Sequence, residues 1–171
     1  MTTSTHELRI ERIFDAPREL VWKTWTTPEL IMQWWGPEYF TSPICKVDLR
    51  VGGKYLFCMR GPDGTDYWSG GTYNEIVPFE KLVCTDAFAN EKGEQIDPAS
   101  FGFDPNFPKE NVVTITFEDM GDKTKLTVLY VVESEAILEI MRKVQMKEGW
   151  ETSLNKFGRV LAGQLHKSVE G

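Results

Sequence analysis

The sequence predicts an α+β fold in which helices cover one side of an antiparallel sheet. Three observations carry that expectation. A series of short segments alternates apolar and polar residues with a period of two, punctuated by Gly, Pro and Asp turns. Two short helical segments, opened by Pro17 and Pro28, interrupt the series after its first member. A long amphipathic segment, running through Trp150, Phe157 and Leu165, follows the last of the strands.

Leu8 to Phe14 reads as the first strand and ends at Asp15-Ala16-Pro17. The two helices follow, from Pro17 to about Trp25 and from Pro28 to about Trp35. Proline at a first helical position loses no hydrogen bond and presets φ, and Thr27 stands where it would cap the second helix. Ile44 to Val51 alternates, with Cys45, Val47, Leu49 and Val51 on one face and Lys46, Asp48 and Arg50 on the other, as in a strand with one wet face. Gly52-Gly53 turns the chain into Lys54 to Arg60, whose two faces are both largely apolar. Pro62-Asp63-Gly64 is a strong turn signal. Asp66 to Val77 is the next strand, and Gly70-Gly71 within it predicts a bulge or a sharp bend. Lys81 to Phe88 follows, then a hairpin of Val112 to Glu118 and Lys125 to Val132 around Gly121-Asp122. Short connections between these strands argue for an antiparallel meander.

One connection is long. Ala89 to Glu110 spans about twenty residues, beyond the usual limit of roughly 12–15 for a structureless loop. It holds Pro98, Pro105 and Pro108 together with Phe101, Phe103 and Phe107. Three phenylalanines must pack onto something: the mouth of a cavity, as a lid; a neighbouring subunit, as a homodimer contact; or the protein's own outer surface. The C-terminal segment has a phase problem. At ~100° per residue Met146, Trp150, Leu154, Phe157, Leu161 and Leu165 share one face, whereas Ile137, Ile140 and Met141 lie on the opposite side. The pattern therefore predicts a short helix from Glu135, capped by Ser134, a break near Lys143, and a long helix to about His166.

Length and composition fit one domain over 1–171, with residues 1–6 expected to be disordered, since domains run roughly 100–200 residues. Lys+Arg 19 against Asp+Glu 26 gives a net charge of −7, which argues against nucleic acid as a partner. Leu126 to Val132 is the longest apolar run and is far short of the ~20 residues of a membrane span, and residues 1–6 carry no signal pattern. A soluble, cytoplasmic protein without membrane insertion is expected. Cys45, Cys58 and Cys84 form no C-x-x-C pair and read as reduced thiols acting as small hydrophobes. His6 and His166 are both expected at the surface, and no metal-ligand cluster or cofactor motif is present.

Five pieces in order carry a resemblance: Phe14-Asp-Ala-Pro-Arg-Glu-Leu-Val-Trp22, Gln33-Trp-Trp-Gly-Pro37, Asp48-Leu-Arg-Val-Gly-Gly53, Met59-Arg-Gly-Pro-Asp-Gly64 and Gly149-Trp150. Over about Leu8 to Leu165 the chain resembles proteins similar to the C-terminal domain of the activator of Hsp90 ATPase, within the START-like (SRPBCC) helix-grip superfamily. The resemblance implies a curved antiparallel sheet gripping the long C-terminal helix, with a ligand cavity between them. The segment Glu91–Lys109 is longer and more aromatic than that resemblance implies.

Within such a fold, candidate cavity residues fall on several elements. Trp34-Trp35 reads as an aromatic mouth or as a plug. Adjacent helical residues point about 100° apart, so one can serve the core while Trp35 faces the cavity. Phe57, Met59 and Trp68 stand on adjacent strands, Phe88 lies at the end of the next, and Phe101 and Phe103 sit on the long loop. Met146, Trp150 and Leu154 form the helix face that would be the cavity floor. Core packing is the competing reading for each. Among the strand carboxylates, Asp66 and Glu75 read as solvated, whereas Asp86 shares its face with Leu82, Cys84 and Phe88. No catalytic residue is assigned. The leading functional expectation is non-catalytic binding of a hydrophobic or aromatic small molecule. One alternative is a chaperone- or stress-associated interaction factor, which requires a large exposed apolar patch. Another is a cyclase- or dehydratase-type enzyme, which requires an acid–base pair in the cavity.

Overall fold

A computed structural model describes residues 6–170. In chain order it contains β1 (His6–Phe14), α1 (Arg18–Thr26), α2 (Pro28–Trp34), β2 (Cys45–Val47), β3 (Lys54–Arg60), β4 (Asp66–Val77), β5 (Lys81–Ala89), β6 (Asn111–Asp119), β7 (Thr124–Val132), α3 (Glu135–Lys143) and α4 (Met146–Glu170), with a short 3-10 turn at Pro98–Phe101. The strands among the described residues form one antiparallel sheet in the order β1-β7-β6-β5-β4-β3-β2. Only β1 departs from a meander, closing the far edge against β7. This is the helix-grip architecture. No helix among the described residues is long and apolar enough to cross a membrane.

The helical part follows the phase of the sequence. Ser134 Oγ accepts from Ile137 N–H at 3.3 Å to open α3, and the chain breaks at Val144–Gln145, where Gln145 takes φ 57°. The break lets Met141 on α3 and Leu154, Phe157 and Leu161 on α4 all reach the core. Phe157 is the centre of that packing, with its ring 5.0 Å from Phe14 of β1 and 5.0 Å from Trp34 of α2. Trp34 is sealed in place by its indole N–H, which donates to the Thr24 carbonyl at 3.0 Å.

Several expectations need correction. His6, expected in a disordered end, is the first residue of β1 and pairs with Glu135 at 3.4 Å; residues 1–5 of that expectation lie outside the described residues. Pro17 is the residue before α1 rather than its first member, and Thr27 occupies the cap position of α2 without a side-chain capping bond. The strand expected over Ile44–Val51 ends at Val47. Beyond it the backbone bonds to itself, Arg50 N–H to the Asp48 carbonyl and Gly53 N–H to the Arg50 carbonyl, so Leu49 and Val51 are left in solvent at 39% and 65% exposure. The bulge in β4 falls at Tyr73/Glu75 and not at Gly70-Gly71. The glycines serve close approach instead: a Cβ at Gly71 would lie 1.9 Å from the Thr85 carbonyl oxygen. That same carbonyl accepts from the Tyr55 hydroxyl.

Candidate functional site

A cavity of about 250 Å³ opens between the first turns of α4 and the concave face of the sheet. Cross-strand pairing decides what reaches it. Phe57 of β3 lies opposite Ser69 of β4, which lies opposite Phe88 of β5. Side chains two apart share a face, so Met59 and Asp86 join Phe88 and Ser69 on the wall. Tyr130 of β7 completes it, with Met146 and Trp150 of α4 above. Phe103 and Phe107 close the side formed by the long loop, packed at 5.3 Å on one another and at 5.1 and 6.1 Å on Phe88. The walls are overwhelmingly apolar. The break between α3 and α4 places Val144, Gln145 and Met146 at the mouth, so the phase change in the sequence shapes the entrance.

Behind Trp35, Asp86, Tyr130 and Trp150 lies a second, inner chamber of about 30 Å³, which those four residues line as well. Phe57, Tyr55 and Tyr73 are among its other walls. Trp35 and Trp150 meet edge to face at 5.6 Å, and Trp150 stacks on Trp25 at 5.9 Å. The indole N–H of Trp150 donates to the Tyr130 hydroxyl at 3.2 Å. Burial pushes the Asp86 carboxyl up from its ordinary 3.8 to about 6, against the hydroxyls of Tyr130 and Tyr55, which pull it down. Cys84, in the same chamber, is pushed up to about 12 by burial and by Asp86. Burial and Asp86 also hold the Tyr55 and Tyr130 hydroxyls well above the usual range, so both stay protonated.

The Trp35 wall is held by a lysine. Lys156, buried on α4, donates through Nζ to the backbone carbonyls of Trp35 (3.4 Å), Gly36 (3.1 Å), Pro37 (3.2 Å) and Phe40 (2.9 Å). Glycine is required at position 36, where φ is +92° and a Cβ would meet those of Phe40 at 3.1 Å and Met59 at 3.3 Å. Arg159 adds an ion pair to Glu38 at 2.7 Å. Burial lowers the Lys156 pKa, with the charge of Glu38 opposing.

Of the residues the sequence singles out, Trp35, Met59, Phe88, Phe103, Met146 and Trp150 line the larger cavity, and Phe57 lines the inner chamber. Trp68, Phe101 and Leu154 line neither. Trp68 pairs with Cys58, whose side chain points to the opposite face of the sheet from Phe57 and Met59. Phe101 packs outside, on Tyr67 and Phe88 at 5.6 Å each, and is 37% exposed. Leu154 lies fully in the core. Asp66 and Glu75 are spent on surface pairs with Arg60 and Lys81. Sequence reasoning misses Tyr130 and Lys156. Tyr130 sits inside an apolar run that reads as plain strand core, and Lys156 meets only backbone atoms, which leave no mark on sequence. Among the described residues no group of three or more His, Cys, Asp or Glu side chains could hold a metal ion.

A family model described as activator of Hsp90 ATPase homolog 1-like protein matches residues 15–162. Solved structures share the fold along nearly the whole chain. A protein from Arthrobacter aurescens is 26% identical, with a TM-score of 0.78, and the match covers 95% of this chain and 93% of that one. A Nitrosomonas europaea protein is 22% identical at a TM-score of 0.77, covering 94% and 96%. The AHSA1 protein of Silicibacter pomeroyi is 22% identical at 0.69, covering 93% and 99%. None of the curated proteins matches.

Proposed function

The chain belongs to the activator of Hsp90 ATPase homolog 1-like family, and from that premise we propose that it binds a small apolar or aromatic molecule between the sheet and α4. The observation that carries this reading is the cavity of about 250 Å³ with aromatic walls contributed by β5, β7, α4 and the long loop. A dry cavity of about 150 Å³ suffices for benzene, so this one takes a molecule of one or two rings. Few polar groups reach it, the usual makeup of a binding pocket. Trp35 is fixed by the Lys156 clamp rather than left to find its place on binding, which lowers the cost of ordering the site.

The test is unbiased mass spectrometry of what co-purifies with the folded protein, together with uptake of a neutral fluorescent probe, phenylnaphthylamine. Uptake of one probe per chain, abolished by Trp35→Ala, is the expected result. No uptake by the native protein would overturn the reading. One observation favours a second reading, an enzyme using the same cavity: the Asp86 carboxyl near neutrality beside the protonated Tyr130 is a group able to take up and return a proton. Recovery of a bound molecule chemically altered after incubation would select that reading over simple binding. An interaction with a chaperone, the activity named in the family's description, would instead show as co-purification of a protein partner with an empty cavity.

A further inference from the structure

We propose that the ligand is an aromatic amine, its rings in the larger cavity and its ammonium head in the inner chamber against Asp86. This rests on the binding reading above and names the class of molecule it concerns. The inner chamber and the cavity border the same four side chains, Trp35, Asp86, Tyr130 and Trp150, so Asp86 faces both. At about 30 Å³ the chamber is large enough for one small polar group and too small for a ring, since a water needs at least about 10–15 Å³.

The chemistry of its wall selects the group. Aromatic side chains (Tyr55, Tyr73, Phe57, Trp35) line the chamber together with a single carboxylate, Asp86. Ring faces carry negative potential and attract a cation, more strongly when water is excluded. The donors close at hand are already committed: the Trp150 N–H goes to Tyr130 and the Tyr55 hydroxyl to the Thr85 carbonyl. The hydroxyls of Tyr130 and Tyr55 both act on Asp86 and lower its pKa. The carboxylate can accept about four hydrogen bonds, so accepting capacity is left over in the chamber. Among the described residues no Lys, Arg or His forms an ion pair with Asp86. A half-buried carboxylate among apolar walls and without a cation is costly, and its raised pKa agrees with that cost. An ammonium group supplies the missing charge and the missing donors together. A ligand carboxylate would face like charge, and a neutral alcohol would satisfy the hydrogen bonding alone.

The test compares three probes of matched shape, naphthylethylamine, naphthylethanol and naphthylacetate, by calorimetry at about pH 8, where Asp86 is ionised and the amine is protonated. The amine should bind tighter than the alcohol by about tenfold or more, the increment of a hydrogen bond to the charged Asp86 over one between neutral groups, and the carboxylate should bind weakest. In Asp86→Asn the ratio of amine to alcohol affinity should fall by about tenfold or more, to what the ring faces alone sustain. Equal affinity of amine and alcohol in the native protein would overturn the amine assignment while leaving the cavity reading standing. So would tightest binding of the carboxylate, or an amine preference undiminished in Asp86→Asn. Failure of all three probes to bind would remove both. The comparison in the native protein decides the matter by itself should the variant misfold.

Discussion

Replacing Asp86 by asparagine tests the electrostatics of the site through stability alone, without any ligand. In the folded protein the carboxyl titrates at about 6, against an ordinary 3.8. The folded state therefore holds the proton more tightly than the unfolded chain does. Below about pH 4 the carboxyl is protonated in both states, and its burial imposes no charge penalty. Between about pH 4 and 6 the unfolded chain ionises while the folded carboxyl keeps its proton, so stability falls, and it levels off above about 6 once the carboxyl ionises inside the chamber as well. At 1.36 kcal/mol per pH unit the loss is about 3 kcal/mol, complete by about pH 7. The neutral amide of Asp86→Asn would bury no charge at any pH. The stability difference, variant minus native, should therefore grow by about 3 kcal/mol between about pH 4 and pH 7 and then level off. Urea denaturation of both proteins across that range measures it, provided the slopes agree. Asp63, Asp66 and Glu135, whose pKa values are lowered by their hydrogen bonds, produce the opposite trend, but they are common to both proteins and cancel in the difference. A difference that stays flat within about 1 kcal/mol would show that Asp86 is well solvated, and the argument for a buried charge would fall with it.

Lys156→Met keeps the length of the side chain and removes its donors, leaving carbonyls of Trp35, Gly36, Pro37 and Phe40 unpaired. A loss of about 3 kcal/mol in chemical denaturation is expected, and phenylnaphthylamine should bind more weakly because the Trp35 wall loosens. Phe103→Ser should change probe uptake, whereas Phe101→Ser should not, and neither should alter the particle mass in solution; a lighter particle would mark the loop as a subunit contact. Gly71→Ala places a methyl within 1.9 Å of the Thr85 carbonyl and should cost about 3 kcal/mol or more, since backbone must shift. A loss below about 1 kcal/mol would mean that β4 and β5 can separate there freely.

How far the sequence discloses this structure depends on which forces are local. β3 and β4 keep their predicted ends because Gly52-Gly53, Pro62-Asp63-Gly64 and the turn opened by Pro78 bound them. The α3–α4 break is legible because a helix can present only one apolar stripe to one core, and the two stripes disagree. Asp86 stands out as the carboxylate on an otherwise apolar strand face. β2 reads too long because alternation cannot reveal that residues 48–53 turn back on themselves through Arg50 N–H to Asp48 and Gly53 N–H to Arg50. Trp68 misleads for a different reason: a period of two separates the faces of a strand without saying which one is concave. That assignment comes from the register with Cys58. The inner chamber needs the meeting of β3, β5, β7 and α4, and no segment carries that information alone.

The order in which the chain is made has a consequence for its birth. β1 cannot close the sheet until β7 arrives, and the cover of the trough, α4, is translated after every strand. At about 5–20 residues per second, the 25 residues of α4 occupy the ribosome for on the order of seconds. During that interval Phe14, Trp25 and Trp34 have no Phe157 to pack against. The nascent protein is then an open apolar cradle. It needs shelter at this stage more than at any later one, and a chain cut short before α4 would retain that need for good.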